Sequence, residues 1–352
     1  MRSFQVCRSG APLQLAELPT PTPAGTEVLL KVLAAGVCHS DLHLSDGYFD
    51  LGGGKRLSLA DRGLKLPLTL GHENVGEVVA FGPQARGVAL GDRRLVDPWM
   101  GCGECGVCRR GDEQLCLKPG SIGVFRHGGY SDFLLVPHPR YLFDIGDLPA
   151  EKVAPLACSG VTTYGALKKV GPTLMTDPVV IIGAGGLGLM CIALHKAMCG
   201  HSAVVVDIDA GKRDAARKAG AQAVIDGGAP DVAQQIAAAT NGGAWAVIDL
   251  VGSSTTVRLG IDSLIKGGKL IIVGLYGGDI TVSLPPFPMR AITMQGSYTG
   301  SITEMAELID LVRRTGLPPV PVATRPLGEV NAALSDLRAG KVVGRVVLTP
   351  AG

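Results

Sequence analysis

Val179-Val180-Ile181-Ile182-Gly183-Ala184-Gly185-Gly186-Leu187-Gly188 is the stretch on which the fold turns. A short apolar run passes directly into G-x-G-x-x-G, and the apolar residues continuing to Leu194 read as a helix. In such a strand, turn and helix, the first glycine makes the sharp turn and the second lets a pyrophosphate approach the backbone. The third lets the helix pack on the strand. The helix N-terminus then faces the anion. In a chain with 50 glycines among 352 residues the motif alone is weak, so its surroundings decide. The next apolar run, 203–206, ends in Asp207, 19 residues beyond Gly188. A carboxylate there accepts hydrogen bonds from an adenosine ribose and repels a 2′-phosphate, which favours NAD over NADP. Lys212 is placed for the same ribose from the following helix.

Working outward, apolar runs at 179–182, 203–206, 223–225, 246–249, 270–273 and 292–296 alternate with helical stretches. That alternation predicts an α/β, doubly wound parallel sheet. Residues 4 to about 155 read instead as short strands between turns, among them 27–34, 76–80, 94–97 and 132–136. The tail from about 299 shows a helix at 304–314, a Pro-rich turn, a helix at 328–338 and a strand at 344–348. Pattern alone leaves open which half the tail joins. A length of 352 residues suits two domains of about 150 residues each.

Composition excludes several classes. Lys plus Arg number 33 against 31 Asp plus Glu, a formal +2 that argues for neither a nucleic-acid partner nor a solvated acidic tail. The longest uncharged run, 178–194, reaches the lower length limit for a membrane span, but four glycines inside it fit a strand, turn and helix better. Residues 1–10 carry Arg2 and Arg8 around no apolar stretch, so no signal peptide is expected and a cytoplasmic location is.

Nine cysteines are present, and four fall within residues 102–116, where chance predicts about 0.4. Their spacing is Cys102-x2-Cys105-x2-Cys108-x7-Cys116, with Gly101, Gly103, Gly106 and Gly111 easing the turns. Four sulfurs about 2.3 Å from one ion complete a tetrahedron without room for substrate, which points to structural zinc. Spacing alone leaves an iron–sulfur cluster open. A nucleic-acid ribbon is disfavoured, because Arg109 and Arg110 are offset by Glu104, Asp112 and Glu113 and serve to neutralise the thiolates. Cys38, His72 and Cys158 lie too far apart for spacing to join them.

Taken in order, Cys38-His39-Ser40-Asp41, Gly71-His72-Glu73, the four-cysteine lobe and the glycine fingerprint resemble the zinc-dependent alcohol dehydrogenases of the medium-chain dehydrogenase/reductase superfamily. The resemblance covers essentially the whole chain. It implies a GroES-like catalytic domain from residues 1–159 and 299–352, with the structural zinc lobe at 97–118, and an inserted Rossmann NAD-binding domain at 160–298. It also implies a catalytic zinc held by Cys38, His72 and Cys158 with water in the fourth position. Glu73 approaches the metal or shapes its surroundings, and Asp41 orients His72. Cys158 favours the alcohol branch, because relatives acting on polyols usually carry a carboxylate there. Six zinc-bound thiolates and two Zn²⁺ would bring the formal +2 to zero, below what the sequence pI near 8.1 suggests.

The same resemblance implies hydride transfer between NAD(H) and a primary or secondary alcohol and its carbonyl. Ser40 would stand beside the reacting oxygen and His43 would pass the proton outward. Thr162 would pack behind the nicotinamide, Val273 and Leu275 would offer backbone groups to its carboxamide, and His39 and Arg345 would face the pyrophosphate. A structural use of Arg345 in the terminal strand stays open beside this. Trp99, Tyr48, Leu275 and Tyr298 would form an apolar cleft for an alkyl, cyclic or aryl group, although burial for packing alone also suits Trp99. The segment 48–67 is expected to cover the cleft or to meet another subunit. The run 292–296 resembles the strand through which such domains pair, implying a homotetramer. Two other functions stay open at this point: a dehydrogenase of an anionic alcohol such as a hydroxyacyl-CoA, received by Lys55, Arg56 and Arg62, and a nucleotide-binding protein that has lost catalysis.

Overall fold

The computed structural model describes residues 1–350. Six parallel strands form one sheet in the order Ala223–Asp226, Val204–Asp207, Val180–Ile182, Ala244–Asp249, Leu264–Ile272, Thr293–Gly296. By chain position this order is 3-2-1-4-5-6, the doubly wound Rossmann arrangement. Side-chain alternation explains why the strands read as unbroken apolar runs. Val180, Ile182, Val204, Val206 and Val247 face one core, while Ile181, Val205, Ala246 and Ile248 face the other. Both faces are covered, so both sets are apolar.

The first and last parts of the chain build a seven-stranded, mostly antiparallel sheet. It runs Leu142–Asp144, Arg93–Val96, Glu73–Phe81, Val28–Val37, Arg345–Thr349, Val322–Pro326, with Phe133–Val136 also paired to Val28–Val37. A three-stranded sheet of Gln14–Glu17, Arg2–Val6 and Leu68–Thr69 packs beside it. The terminal strand joins this β-rich half by antiparallel pairing of Val346 with Val37. The helix Ile302–Thr315 packs elsewhere, against the helices Ser159–Val170 and Gly186–Cys199. Its buried Met305, Leu308, Ile309 and Val312 share a core with Ile181 and Leu189.

Two readings of the sequence need correction. The segment after the helix at 302–315 is not only a Pro-rich turn, because Val322–Pro326 pairs in parallel with Arg345–Thr349. It is an edge strand, where a proline at its end removes no needed ladder bond. The following helix begins at Val330, after a 3-10 turn at Leu327–Glu329. Segment 48–67 contains a small hairpin of Tyr48–Asp50 with Arg56–Ser58. Its tip lies against the turn at 277–279, so that a Cβ on Gly52 would come 2.7 Å from the Asp279 nitrogen.

Candidate functional site

Antiparallel register brings the first donors together. Gly36 lies opposite Glu73, so the end of Val28–Val37 and the start of Glu73–Phe81 meet at one end of the ladder. Cys38 follows the first strand and His72 precedes the second. Gly36 leaves the space that Glu73 fills, since a Cβ there would lie 2.9 Å from the Glu73 Cβ. Cys38 is also the N-cap of the helix His39–Asp46, a position that favours a thiolate. Cys158 stands at the start of the helix Ser159–Val170.

Cys38 and Cys158 sulfurs lie 3.9 Å apart, close to the roughly 3.8 Å expected of two sulfurs sharing a tetrahedral zinc with bonds of about 2.3 Å. Donor atoms of Cys38, His72, Glu73 and Cys158 all fall within 4.8 Å of one another, and all four residues are buried. Neither ring nitrogen of the buried His72 has a hydrogen-bond partner, while its Nδ1 lies 3.3 Å from Asp41 Oδ1. Nε2 therefore faces the sulfurs. Asp41 is itself held by the Cys38 N–H at 2.9 Å and the Tyr130 hydroxyl at 2.8 Å, both donating to Oδ2. Tyr130 was not legible as part of the site, because nothing around it in sequence marks it.

Glu73 is ion-paired with Arg345, and both are buried. Burial pushes the Glu73 carboxyl up and the guanidinium pulls it back down. Arg345 also reaches the glycine turn: a Cβ on Gly186 would lie 2.7 Å from Arg345 Cδ. One side chain thus spans the buried donor set and the nucleotide fingerprint.

That fingerprint has the required shape. Gly183 has φ +98°, and a Cβ on Gly188 would strike the Gly183 carbonyl. At Gly185 a Cβ would meet nothing within 4 Å, leaving an open cradle beside the start of the helix at Gly186, ahead of Leu187. Asp207 accepts from the Ala184 N–H at 2.7 Å and the Asp209 N–H at 2.8 Å, which fixes its carboxylate at the strand end. Lys212 is in the first turn of the helix Ala210–Lys218. Burial lowers the pKa of His39, the Cys38 thiolate opposes this, and the charges of Arg345, His43 and Lys212 add to the lowering. Thr162 is buried with an unpartnered hydroxyl. Val273 donates its N–H to the Asp249 carbonyl at 2.9 Å, where the parallel strands end.

Ser40 Oγ stands 3.9 Å from Cys38 Sγ. His43, three residues on, is half-buried against Phe49 with ring centroids 4.8 Å apart. Burial holds His43 below the ordinary imidazole pKa despite the opposing charge of Asp46. Trp99 is both core and site: it is 5% exposed, donates Nε1–H to the Ala157 carbonyl at 3.0 Å and lies 5.5 Å from the His72 ring. Tyr298 meets its edge at 6.1 Å. Leu275 and Tyr298 line one cleft of about 600 Å³. Tyr48 instead packs under Arg56, 4.0 Å from ring centre to guanidinium.

The four-cysteine lobe closes on a single point. Sulfur separations are 3.4 Å for Cys105–Cys108, 3.8 Å for Cys105–Cys116 and 4.0 Å for Cys102–Cys108. They are too long for disulfides and suit one tetrahedral ion, whereas a multi-iron cluster would spread the sulfurs further. Backbone amides of Cys108 and Leu117 lower the Cys105 thiol to about 6. Glu113 does not offset Arg109 or Arg110. It turns inward, 3% exposed, to accept from the Gly101 N–H and the Tyr141 hydroxyl and to pair with Arg140. The two donor sets fit one structural and one catalytic zinc.

A Rossmann sheet beside a β-rich half carrying a closed four-thiolate set and a buried Cys-His-Cys set defines a zinc-dependent dehydrogenase of two-domain build. The comparisons agree. Residues 24–147 match the family described as alcohol dehydrogenase GroES-like domain, and residues 186–314 match zinc-binding dehydrogenase. The chain is 40% identical to an NAD-dependent alcohol dehydrogenase of Sulfurisphaera tokodaii, covering 99% of this chain and 100% of the relative. It is 38% identical to one from Saccharolobus solfataricus, with 99% and 100% covered. The crystal structure of the alcohol dehydrogenase from Aeropyrum pernix superposes with a TM-score of 0.89 at 32% identity, covering 99% of this chain and 100% of that one. The chain belongs to the zinc-containing alcohol dehydrogenases of the medium-chain dehydrogenase/reductase superfamily.

Proposed function

We propose that this protein transfers hydride between NAD(H) and a primary or secondary alcohol and its carbonyl, with the apolar part of the substrate against Trp99, Leu275 and Tyr298. The observation that carries this reading is Arg345, which ties the Cys38, His72, Glu73 and Cys158 group to the glycine turn. When bound, zinc supplies Lewis acidity that lowers the alcohol pKa, and NAD supplies the hydride acceptor. Cys38, His72 and Cys158 would hold the metal, and Asp41 fixes the imidazole by its Nδ1 face. Ser40 accepts the hydroxyl proton as it gives up its own, and His43 carries the released proton outward through the cofactor ribose. Trp99, nearly fully buried, excludes water from one wall. Asp207 receives the adenosine ribose and repels a 2′-phosphate, while Thr162 and Val273 confine the nicotinamide end. The intact buried donor set speaks against a protein that has lost catalysis.

We divide the chain into a catalytic domain of residues 1–159 and 299–352 and a cofactor domain of 160–298, with the helix Ile302–Thr315 of the first packed onto the helix Gly186–Cys199 of the second. Thr293–Gly296 is the edge strand of the parallel sheet, with Met294 exposed. An edge strand left unpaired in the single chain supports pairing with a second copy and, with it, the proposed homotetramer. Among the described residues no helix is long and apolar enough to cross a membrane, and we place the enzyme in the cytoplasm.

The test is NADH appearance from NAD and a panel of aliphatic, cyclic and benzylic alcohols, with and without a zinc chelator. Turnover should be chelator-sensitive, and Cys38→Ser should abolish it while NADH still binds. Equal turnover in Cys38→Ser would overturn the proposed metal site.

A further inference from the structure

A third group of metal-ligating side chains lies at the end of the nucleotide-binding sheet's first helix remote from the glycine turn. His195 and Cys199 are four residues apart on the helix Gly186–Cys199 and so share a face. Gly200, at φ +79°, then reverses the chain and returns His201 to that face. The two imidazoles meet edge to face with centroids 4.9 Å apart. One donor atom each from His195, Cys199 and His201 falls within 4.8 Å of the other two.

Two further observations point to a ligand. His195 is fully buried, and neither of its ring nitrogens has a hydrogen-bond partner. Buried polar groups in folded proteins are nearly always partnered, so this orphan asks for an occupant. His201 Nε2 lies 3.1 Å from the Leu174 carbonyl. Donation to that carbonyl fixes the tautomer and leaves Nδ1 as the free lone pair, the arrangement that commonly orients metal-bound histidines. Cys199 and His201 are only partly buried, which gives an ion a way in. Nothing in alcohol oxidation uses these residues.

We propose that His195, Cys199 and His201 form a third metal site, whose two imidazole nitrogens and one thiolate sulfur suit a borderline-soft divalent ion such as Zn²⁺ or Co²⁺. Such an ion accepts imidazole and thiolate donors in a tetrahedron, with water completing the set. Binding displaces the Cys199 thiol proton to solvent, and the sulfur gives up its 2.8 Å contact with the His195 carbonyl. The ion would pin the end of this helix to the 3-10 turn Pro172–Met175 through His201 and Leu174.

The experiment is titration of the zinc-loaded enzyme with Co²⁺, following thiolate-to-cobalt charge transfer and bound metal per chain. Wild type should take up one equivalent beyond its resident zinc. Cys199→Ser should lose the new charge-transfer band, and His201→Gln should bind at least about tenfold more weakly. Both variants should retain their resident zinc and NADH-forming activity. Because both positions are partly exposed, they avoid the folding risk of replacing His195. No extra equivalent, or a band that persists in Cys199→Ser, would overturn the site. Persistence would mean that cobalt had exchanged into the donor sets already described.

Discussion

Arg345 illustrates how much one buried side chain can be asked to do. Its guanidinium neutralises Glu73 and its stem lies on the glycine turn. Breaking a buried pair leaves an uncompensated charge, typically at a cost of about 3–5 kcal/mol. Arg345→Met should therefore destabilise the enzyme strongly in denaturant titrations. The double variant with Glu73→Gln should recover part of that loss, and strict additivity would show that the pair is not coupled. Asp97 gives a second test. It is buried, and burial raises its carboxyl to about 7 against the amide of Trp99. The folded state thus keeps a proton that an unfolded chain releases near pH 4, so stability falls as pH rises between these values. Asp97→Asn should raise the melting temperature at about pH 8 and lose that advantage near pH 4. For His43, whose pKa burial lowers, the acid limb of alcohol oxidation should lie below about 6.5. His43→Gln should cost about 10²-fold in kcat and remove the limb.

The glycine turn separates folding from binding within one element. A Cβ on Gly188 would strike the Gly183 carbonyl, whereas one on Gly185 would meet no protein atom within 4 Å. Gly188→Ala should consequently lower the melting temperature of the cofactor-free enzyme. Gly185→Ala should leave that temperature almost unchanged yet weaken NADH by about tenfold or more, because the added methyl stands where the pyrophosphate approaches the backbone. Fluorescence titration with NADH reads the difference, and unchanged affinity in Gly185→Ala would place the pyrophosphate elsewhere. At the end of the neighbouring strand, Asp207→Ser should raise kcat/KM for NADP by about tenfold or more by removing a like-charge repulsion.

Across the whole molecule, the β-rich half and the parallel sheet meet around a shared core. Trp99, Leu156, Leu167, Ile181, Leu189, Met305 and Val347 all belong to it. The donor set is assembled there from residues near 38, 72 and 158, with Arg345 arriving from the terminal strand. Light scattering should report the mass of a homotetramer, and a monomeric mass would count against the edge-strand pairing proposed at Thr293–Gly296.

The glycine fingerprint, the Asp207 strand end and the four-cysteine cluster were legible because each is a local device. Their residues are close in sequence, and backbone geometry makes their spacing meaningful. The six parallel strands were legible for a related reason: burial on both faces leaves unbroken apolar runs. The Cys38, His72 and Cys158 set was found only through its resemblance to a family, since no periodicity links residues so far apart. Val322–Pro326 was missed because Pro318, Pro319 and Pro321 before it and Pro326 at its end signal a turn until a partner strand is known. The inward turn of Glu113, the Tyr130 bond to Asp41 and the doubled role of Arg345 were hidden as well. Local sequence determined which turns, strands and thiol clusters this chain can form. Only the tertiary structure decided which buried charges and donors meet, because those contacts arise when distant segments desolvate one another.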